Sequence, residues 1–180
     1  MPTFSDILLR GERVEGHRPW PRFVVTAELW RHAANELAEG RATLLGLWGD
    51  GTAVPAAHMA IMSGQSRQIA VITIDCPAGS FPSVGAVHPP AIRLERAIFS
   101  LYGLEPIGAP DMRPWLDLGL WDVQHPLGAR QATAAAPAAY AFLPVEGENL
   151  HQIPVGPVHA GIIEPGHFRF TAGGETVARL

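Results

Sequence analysis

Apolar residues recur at helical spacing in the segment 26–40, TAELWRHAANELAEG. The side chains that share one face are Leu29, Trp30, Ala33, Ala34 and Leu37. Thr26 is a suitable N-cap, and Gly40 is placed to end the helix. The pattern predicts an amphipathic helix whose apolar stripe faces the core of the protein.

The next segment changes to the pattern of β-strands. Two apolar runs within 42–62 flank Gly49-Asp50-Gly51-Thr52, and the Asp-Gly pair predicts a tight hairpin turn with positive φ angles. The β-branched run RQIAVITIDC, residues 67–76, predicts a third strand. An antiparallel meander with a helix on one face follows, so the fold class is α+β.

A second helix is predicted after Pro89-Pro90. Leu94, Ile98 and Leu101 keep the helical phase, and Gly103 is a natural stop. Proline and glycine interrupt the segment 104–122, although its apolar side chains are costly to leave in water. Those side chains are Met112, Trp115, Leu116 and Trp121. We therefore expect an ordered loop that packs these side chains against another surface.

The C-terminal part returns to alternation after an Ala/Pro-rich stretch typical of a linker. Phe168 and Phe170 lie on one face and His167 and Arg169 on the other, before a Gly173-Gly174 turn. Because this hairpin has an unpaired edge and an apolar face, we expect residues 145–180 to be flexible or to pair with a neighbouring molecule.

Composition narrows the classes of function. The 180 residues carry a net charge of −4 with no lysine and no basic cluster, which argues against nucleic acid and anionic membrane surfaces as direct partners. The N-terminus lacks the apolar core of a signal peptide, and no apolar run is long enough to span a bilayer. These features favour a soluble cytoplasmic protein.

Most of the reactive residue types do not form a recognisable site in sequence. The single cysteine, Cys76, excludes an internal disulfide and a multi-cysteine metal site, and burial as an inert thiol is expected. The histidines at 17, 32, 58, 88 and 125 are scattered without metal-ligand spacing. An independent metalloenzyme built on these histidines stays an alternative, and metal analysis of the purified chain would test it.

The segment 156–170, GPVHAGIIEPGHFRF, is the densest candidate site. Its glycines and prolines turn the backbone sharply, and it carries His159, Glu164 and His167. Imidazole and carboxylate groups there can relay protons or hydrogen-bond a redox ligand, because their pKa values can be brought near neutrality. An exposed polar loop is the alternative interpretation.

Residues 81–116 resemble the signature of the hydrophilic 30-kilodalton subunit of respiratory complex I. The matching residues are Pro82, Ser83, Glu95, Arg96, Tyr102, Gly103, Gly108, Pro110, Asp111 and Arg113. The departures are Ala97, Ser100, Ala109 and Pro114, which replace two carboxylates, a histidine and an arginine of that signature. The resemblance implies a mixed or antiparallel sheet with helices packed on it. It also implies a subunit interface at Glu95, Arg96, Tyr102, Asp111 and Arg113.

Residues 151–170, HQIPVGPVHAGIIEPGHFRF, resemble the start of the large subunit of group 4 nickel–iron hydrogenases, the formate hydrogenlyase type. By that resemblance Glu164 corresponds to a proton-transfer glutamate, with His167 and His159 beside it. The paired cysteines that hold nickel and iron in such subunits cannot be supplied by a chain with one cysteine. We therefore expect no complete active site and no cofactor bound by this chain alone, with the nickel–iron centre and iron–sulfur clusters in partner chains.

These resemblances predict four parts: an N-terminal segment (1–19), an α+β domain like the complex I 30-kilodalton subunit (20–122), a linker (123–144) and the start of a large-subunit-like domain (145–180). The chain would be a non-catalytic subunit or N-terminal module of a complex-I-like hydrogenase, formate hydrogenlyase or NADH dehydrogenase-type electron-transfer complex. Its expected partners are the large catalytic subunit and iron–sulfur subunits, which would hold it peripherally at the inner face of the cell membrane. Self-association through the C-terminal hairpin is a further expectation. The alternative is an assembly or protein-binding module that kept the fold without electron-transfer duty.

Overall fold

The structure, a computed structural model, describes residues 4–128, 132–133, 141–163 and 165–180. The chain divides into two compact units, Met1–Ala138 and Ala139–Leu180.

A five-stranded mixed sheet forms the centre of the first unit, with the strand order β1-β2-β5-β4-β3. The strands are β1 (Glu12–Val14), β2 (Arg22–Val24), β3 (Ala42–Asp50), β4 (Ala56–Ser63) and β5 (Ile69–Asp75). Strands β3, β4 and β5 form the predicted antiparallel meander. Strand β2 pairs with β5 in parallel, which makes the sheet mixed.

The connection between β3 and β4 differs from the predicted tight turn. It runs from residue 51 to residue 55, and Gly51 does not have a positive φ angle. Glycine is needed there for space, because a Cβ atom on Gly51 would lie 2.0 Å from the carbonyl oxygen of Leu127. The Asp50 carboxylate shapes the turn by accepting a hydrogen bond from the Thr52 amide at 2.9 Å.

Among the described residues, three α-helices accompany this sheet: α1 (Phe4–Arg10), α2 (Ala27–Ala38) and α3 (Ile92–Tyr102). The hydroxyl of Thr26 accepts a hydrogen bond from the Leu29 amide, so the predicted N-cap is present. A short 3₁₀ turn, Pro89–Ala91, leads into α3, and Gly103 ends that helix in the left-handed conformation at φ 70°. All five residues of the predicted stripe on α2 are buried in the core.

The described residues of the first unit also form two small two-stranded sheets. Strands β6 (Ser80–Pro82) and β7 (Glu105–Ile107) pair in parallel on either side of α3 in sequence. Strands β8 (Val123–Gln124) and β9 (Ala132–Thr133) pair antiparallel.

The second unit contains a three-stranded antiparallel sheet of β10 (Leu150–Val158), β11 (Gly166–Gly173) and β12 (Thr176–Arg179). The predicted alternation is present, but the turn lies at Gly174-Glu175, one residue later than predicted, because Gly173 still pairs with Thr176 at the end of β11. Cross-strand register places Ile153 opposite Phe170 and Val155 opposite Phe168, so these four side chains share one face. Each of Ile153, Val155 and Phe168 keeps more than a third of its surface exposed.

Candidate interaction surface

Glu95 lies in the interior of the first unit and organises the segment that enters α3. Its carboxylate accepts hydrogen bonds from the Ser83 hydroxyl at 2.8 Å, the Val84 amide at 2.5 Å and the Gly85 amide at 3.2 Å. Burial raises the pKa of the Glu95 carboxyl group, and the hydrogen bonds from Ser83, Val84 and Gly85 oppose that shift. Because Glu95 is 1% exposed, it reaches a partner surface only through the loop that it holds. Its assignment to a subunit interface stays a prediction.

Arg96, the next residue along α3, fastens the loop that follows β7. Its guanidinium donates to the carbonyl oxygens of Arg113 at 2.7 Å and Pro114 at 2.8 Å, and to the Asp111 carboxylate at 3.2 Å. The same group lies over the ring of Trp115, 5.1 Å from its centroid. We call this arrangement of Arg96, Asp111, Arg113, Pro114 and Trp115 the Arg96 clasp.

Asp111 is the acidic centre of the Arg96 clasp. It accepts two side-chain hydrogen bonds from Arg113, at 2.9 and 2.7 Å, and one from the Arg113 amide at 3.0 Å. These bonds, with the charges of Arg113 and Arg96, hold the pKa of the Asp111 carboxyl group well below its usual range. The structure therefore brings three of the sequence-predicted interface residues into one cluster.

Tyr102, the fifth of these residues, is half-buried and packs inward. A Cβ atom on Gly49 of β3 would lie 2.6 Å from its ring, so the helix end and the strand approach closely. The tyrosine thereby joins α3 to the sheet. Its position gives no direct sign of a partner contact, and its interface role stays a prediction.

Large apolar side chains project from the loop that the Arg96 clasp holds. The exposed fractions are 38% for Met112, 41% for Trp115, 41% for Leu116, 66% for Leu118 and 76% for Leu120. Exposed apolar groups that are contiguous along an ordered loop mark interaction sites in soluble proteins. We call residues 112–120 the apolar loop.

An open cavity of about 350 Å³ lies between α3 and the apolar loop. The residues that shape it include Arg96, Phe99, Met112, Leu118 and His125. The ring of His125 packs edge-on against Phe99, with 5.2 Å between centroids, and its buried Nδ1 atom has no hydrogen-bond partner among the described residues. This cavity makes the surface around the apolar loop concave.

The three residues proposed for proton transfer belong to the second unit. His159 and His167 are exposed, on either side of the turn between β10 and β11, whereas Glu164 lies outside the described residues. His167 contacts Phe142, with 6.0 Å between ring centroids. Their grouping into a relay stays a prediction.

The described parts of the chain offer neither a metal-binding cluster nor a membrane-spanning helix. Within those parts, no group of three or more histidine, cysteine, aspartate or glutamate side chains is arranged to hold a metal ion. Burial raises the pKa of the Cys76 thiol to about 11, so it stays protonated rather than acting as a thiolate ligand. No helix in the same described ranges has both the length and the apolar character that crossing a bilayer requires.

Two clusters were not predicted from the sequence. His58 is buried on β4, where its Nδ1 lies 2.9 Å from the hydroxyl oxygen of Thr73 and its Nε2 lies 3.7 Å from Asp50. In the second unit, Phe142 packs against the guanidinium of Arg169, although the sequence placed Phe142 in a linker. For the second cluster, the sequence offered one signal: the strand alternation that places Arg169 on the face of β11 away from Phe168.

Comparison with known protein families identifies the family of this chain. The sequence model of the respiratory-chain NADH dehydrogenase 30 Kd subunit matches residues 23–135, and the chain belongs to this family. The predicted family resemblance and the predicted α+β class are confirmed.

Two curated relatives come from Escherichia coli (strain K12). Hydrogenase-4 component G is 35% identical over 112 residues, which cover 58% of this chain and 20% of that protein. Formate hydrogenlyase subunit 5 is 32% identical over 115 residues, which cover 59% of this chain and 20% of that protein. The chain thus spans about a fifth of the length of the curated relatives it matches.

Solved structures support the fold. A trypsin-resistant fragment of Nqo5 matches with a TM-score of 0.51 at 17% identity, over 59% of this chain and 94% of the fragment. A chain of the membrane-bound sulfane sulfur reductase, an archaeal respiratory membrane complex, matches with a TM-score of 0.50 at 16% identity, over 63% of this chain and 74% of that chain. At these identities the likeness concerns the fold alone.

Proposed function

We propose that this chain acts, without catalysing a reaction by itself, as a module of a complex-I-like, membrane-associated nickel–iron hydrogenase of the formate hydrogenlyase type or a related NADH dehydrogenase-type complex. Membership of the 30 Kd subunit family supports this proposal. The names of the two curated relatives, a component of hydrogenase-4 and a subunit of formate hydrogenlyase, support it further.

The single observation that carries the proposal is the Arg96 clasp. It bonds the loop to α3 through the carbonyl oxygens of Arg113 and Pro114, while the side chains of Trp115, Leu116 and Leu118 stay exposed. Pre-ordering a loop lowers the entropic cost of binding, and tryptophan and arginine are enriched among residues that dominate binding energy. An ordered apolar loop beside a concave cavity fits a protein partner better than a small substrate.

The proposed partners are a large catalytic subunit and iron–sulfur subunits, which would carry the nickel–iron centre and the clusters. The chain would then lie peripherally at the inner face of the membrane through those subunits. In the second unit, Glu164, His167 and His159 would sit near the reaction centre of the assembled complex. A large-subunit-like character of residues 145–180 is part of the proposal.

Affinity purification from the native host tests the proposal with a matched pair of variants. Trp115→Ala removes the aromatic side chain of the apolar loop, and Trp20→Ala removes one of similar exposure, 46%, elsewhere on the first unit. We expect Trp115→Ala to lower recovery of nickel- and iron-containing subunits by roughly tenfold or more, and Trp20→Ala to leave it unchanged.

Two results would contradict the proposal. Equal recovery with both variants would remove the apolar loop as the interface. Recovery of only metal-free partners with the unmodified chain would favour the assembly-module alternative over a part in an electron-transfer complex.

A further inference from the structure

The sheet face opposite Phe168 and Phe170 carries polar side chains in cross-strand register. Gln152 on β10, Thr171 on β11 and Arg179 on β12 stand directly opposite one another and form one row across the sheet. Arg169 precedes Thr171 by two residues, so it shares that face and lies diagonal to Arg179. Two arginines therefore converge on one side of a three-stranded sheet.

A cavity of about 250 Å³ opens on this face. Its lining includes His167, Arg169, Thr171, Gln152, Arg179 and Phe142. Phe142 and Leu143 form part of its wall, and the carbonyl groups of residues 143 and 144 are hydrogen-bonded to the sheet. Gln152 donates to the Leu143 oxygen at 3.2 Å, and Arg179 donates to the Pro144 oxygen at 2.9 Å.

Within the described residues, neither arginine of the cavity has a charged partner. The guanidinium carbon of Arg169 lies 3.6 Å from the centroid of the Phe142 ring, and its buried Nε atom has no hydrogen-bond partner in the described part of the chain. The hydrogen-bond partners of Arg179 are the carbonyl oxygens of Leu143 and Pro144. No carboxylate that the structure describes forms an ion pair with Arg169 or Arg179.

This arrangement is costly unless an anion completes it. A buried N–H group without an acceptor loses its hydrogen bonds to water and gains none in the protein, which costs free energy. Two guanidinium groups on one face also repel each other. The planar edge of a guanidinium that carries Nε–H and Nη–H matches the two oxygens of a carboxylate. The ring of Phe142 packs against the Arg169 guanidinium, 3.6 Å from its central carbon, and limits the access of water to it.

We propose that the cavity between the polar face of the β10–β12 sheet and Phe142 binds a carboxylate group through Arg169 and Arg179. Thr171, which is 5% exposed, also lines the cavity, and its hydroxyl can serve as a further donor. The carboxylate comes either from a small free anion or from an acidic side chain of another protein. The site is distinct from the apolar loop and does not depend on the proposed function.

Nuclear magnetic resonance on the full chain tests this site with two carboxylate probes, and inorganic phosphate serves as the comparison anion. Acetate represents the free anion, and N-acetylaspartate N-methylamide represents a side chain on a polypeptide. We expect saturable shifts of the Arg169 Nε–H signal and of the Thr171 and Arg179 amides. Tenfold tighter binding of the aspartate derivative assigns the site to a protein side chain, and equal or tighter binding of acetate assigns it to a free anion.

Variants separate a built site from general attraction to positive charge. Arg169→Gln should weaken binding by roughly tenfold or more, since a charged hydrogen-bond donor is lost, whereas Arg67→Gln on an exposed turn of the first unit should not change it. Arg179→Gln is the second variant, in case Arg169→Gln disturbs the sheet; dispersed β10–β12 amide signals report that the sheet is intact. Absence of saturation with both probes, unchanged affinity in an intact variant, or a preference for inorganic phosphate over acetate would overturn the proposal.

Discussion

The hydroxyl of Ser83 donates a 2.8 Å hydrogen bond to the carboxylate of Glu95 inside the first unit, across a sequence separation of 12 residues. The same hydroxyl accepts a hydrogen bond from the Ala86 amide at 3.0 Å. Glu95 and Ser83 therefore hold the segment between β6 and α3 in place from the interior of the unit. Arg96, the residue after Glu95, lies at the surface of α3.

Replacing Glu95 by alanine should destabilise the fold strongly. Three donors lose their acceptor in a dry environment, and each unsatisfied buried group costs about 1–3 kcal/mol, so we expect a loss of roughly 3 kcal/mol or more. Urea denaturation measures the free energy of unfolding. Glu105→Ala, at an exposed position on β7, serves as the control and should change stability by less than about 0.5 kcal/mol. A loss as small as that of the control would show that Glu95 does not support the loop.

Replacing Gly51 by alanine should displace the segment around Leu127, which follows the apolar loop in sequence. A Cβ atom at this position meets the Leu127 carbonyl oxygen, and the Leu127 amide donates to the Leu101 oxygen at 2.9 Å. We expect Gly51→Ala to cost about 1–3 kcal/mol and to speed hydrogen exchange of the Leu127 amide by roughly tenfold. Gly46→Ala is the control, because its Cβ would make only an ordinary 3.7 Å contact with Trp48. Unchanged exchange at Leu127 would contradict this account.

The buried His58 should make the first unit sensitive to acid. Burial lowers the pKa of the His58 imidazole, and the charges of Arg22 and His17 act in the same direction, whereas Asp50 raises it. The unfolded chain then binds the proton more readily than the folded chain. Stability is complete above the ordinary histidine pKa of about 6.5 and falls as the pH decreases through the lower folded value.

The measurement for His58 is the urea midpoint between about pH 5 and pH 8. We expect the acid-side decline to be shallower in His58→Gln than in the unmodified chain, and unchanged in His32→Gln on α2. An identical decline in all three proteins would show that His58 does not couple folding to pH.

The apolar face of the β10–β12 sheet should drive association of the purified chain. The rings of Phe168 and Phe170 stack with 6.4 Å between centroids, and Phe168 is 44% exposed. We expect Phe168→Glu to shift sedimentation toward the monomer and to weaken association by roughly tenfold or more. Ile162→Glu is a stringent control, because Ile162 is 97% exposed but lies outside the strands. The prediction is contradicted if the unmodified chain is monomeric and its β10–β12 amides are strongly protected from exchange, because the sheet would then be stable without a partner.

The amino-acid sequence by itself determined the local elements and the family. Capping residues and the spacing of apolar residues act over a few positions, so they can be read from the sequence. They predict helix α2, the start and end of α3, the β3–β5 meander and the alternation of β11. The residues of the 30 Kd subunit signature could also be recognised in the sequence. Arg96, Asp111 and Arg113 were predicted as interface residues from that signature alone.

Only the tertiary structure decided what those residues do. Glu95 and Arg96 are adjacent in sequence, yet one is buried and holds the chain before α3, while the other holds the loop after β7. Phe142 and Arg169 meet across 27 positions, and Gly51 and Leu127 meet across 76. Such contacts depend on the path of the whole chain. Side chains that are far apart in sequence pack together without producing a local pattern of apolar and polar residues that would predict the contact.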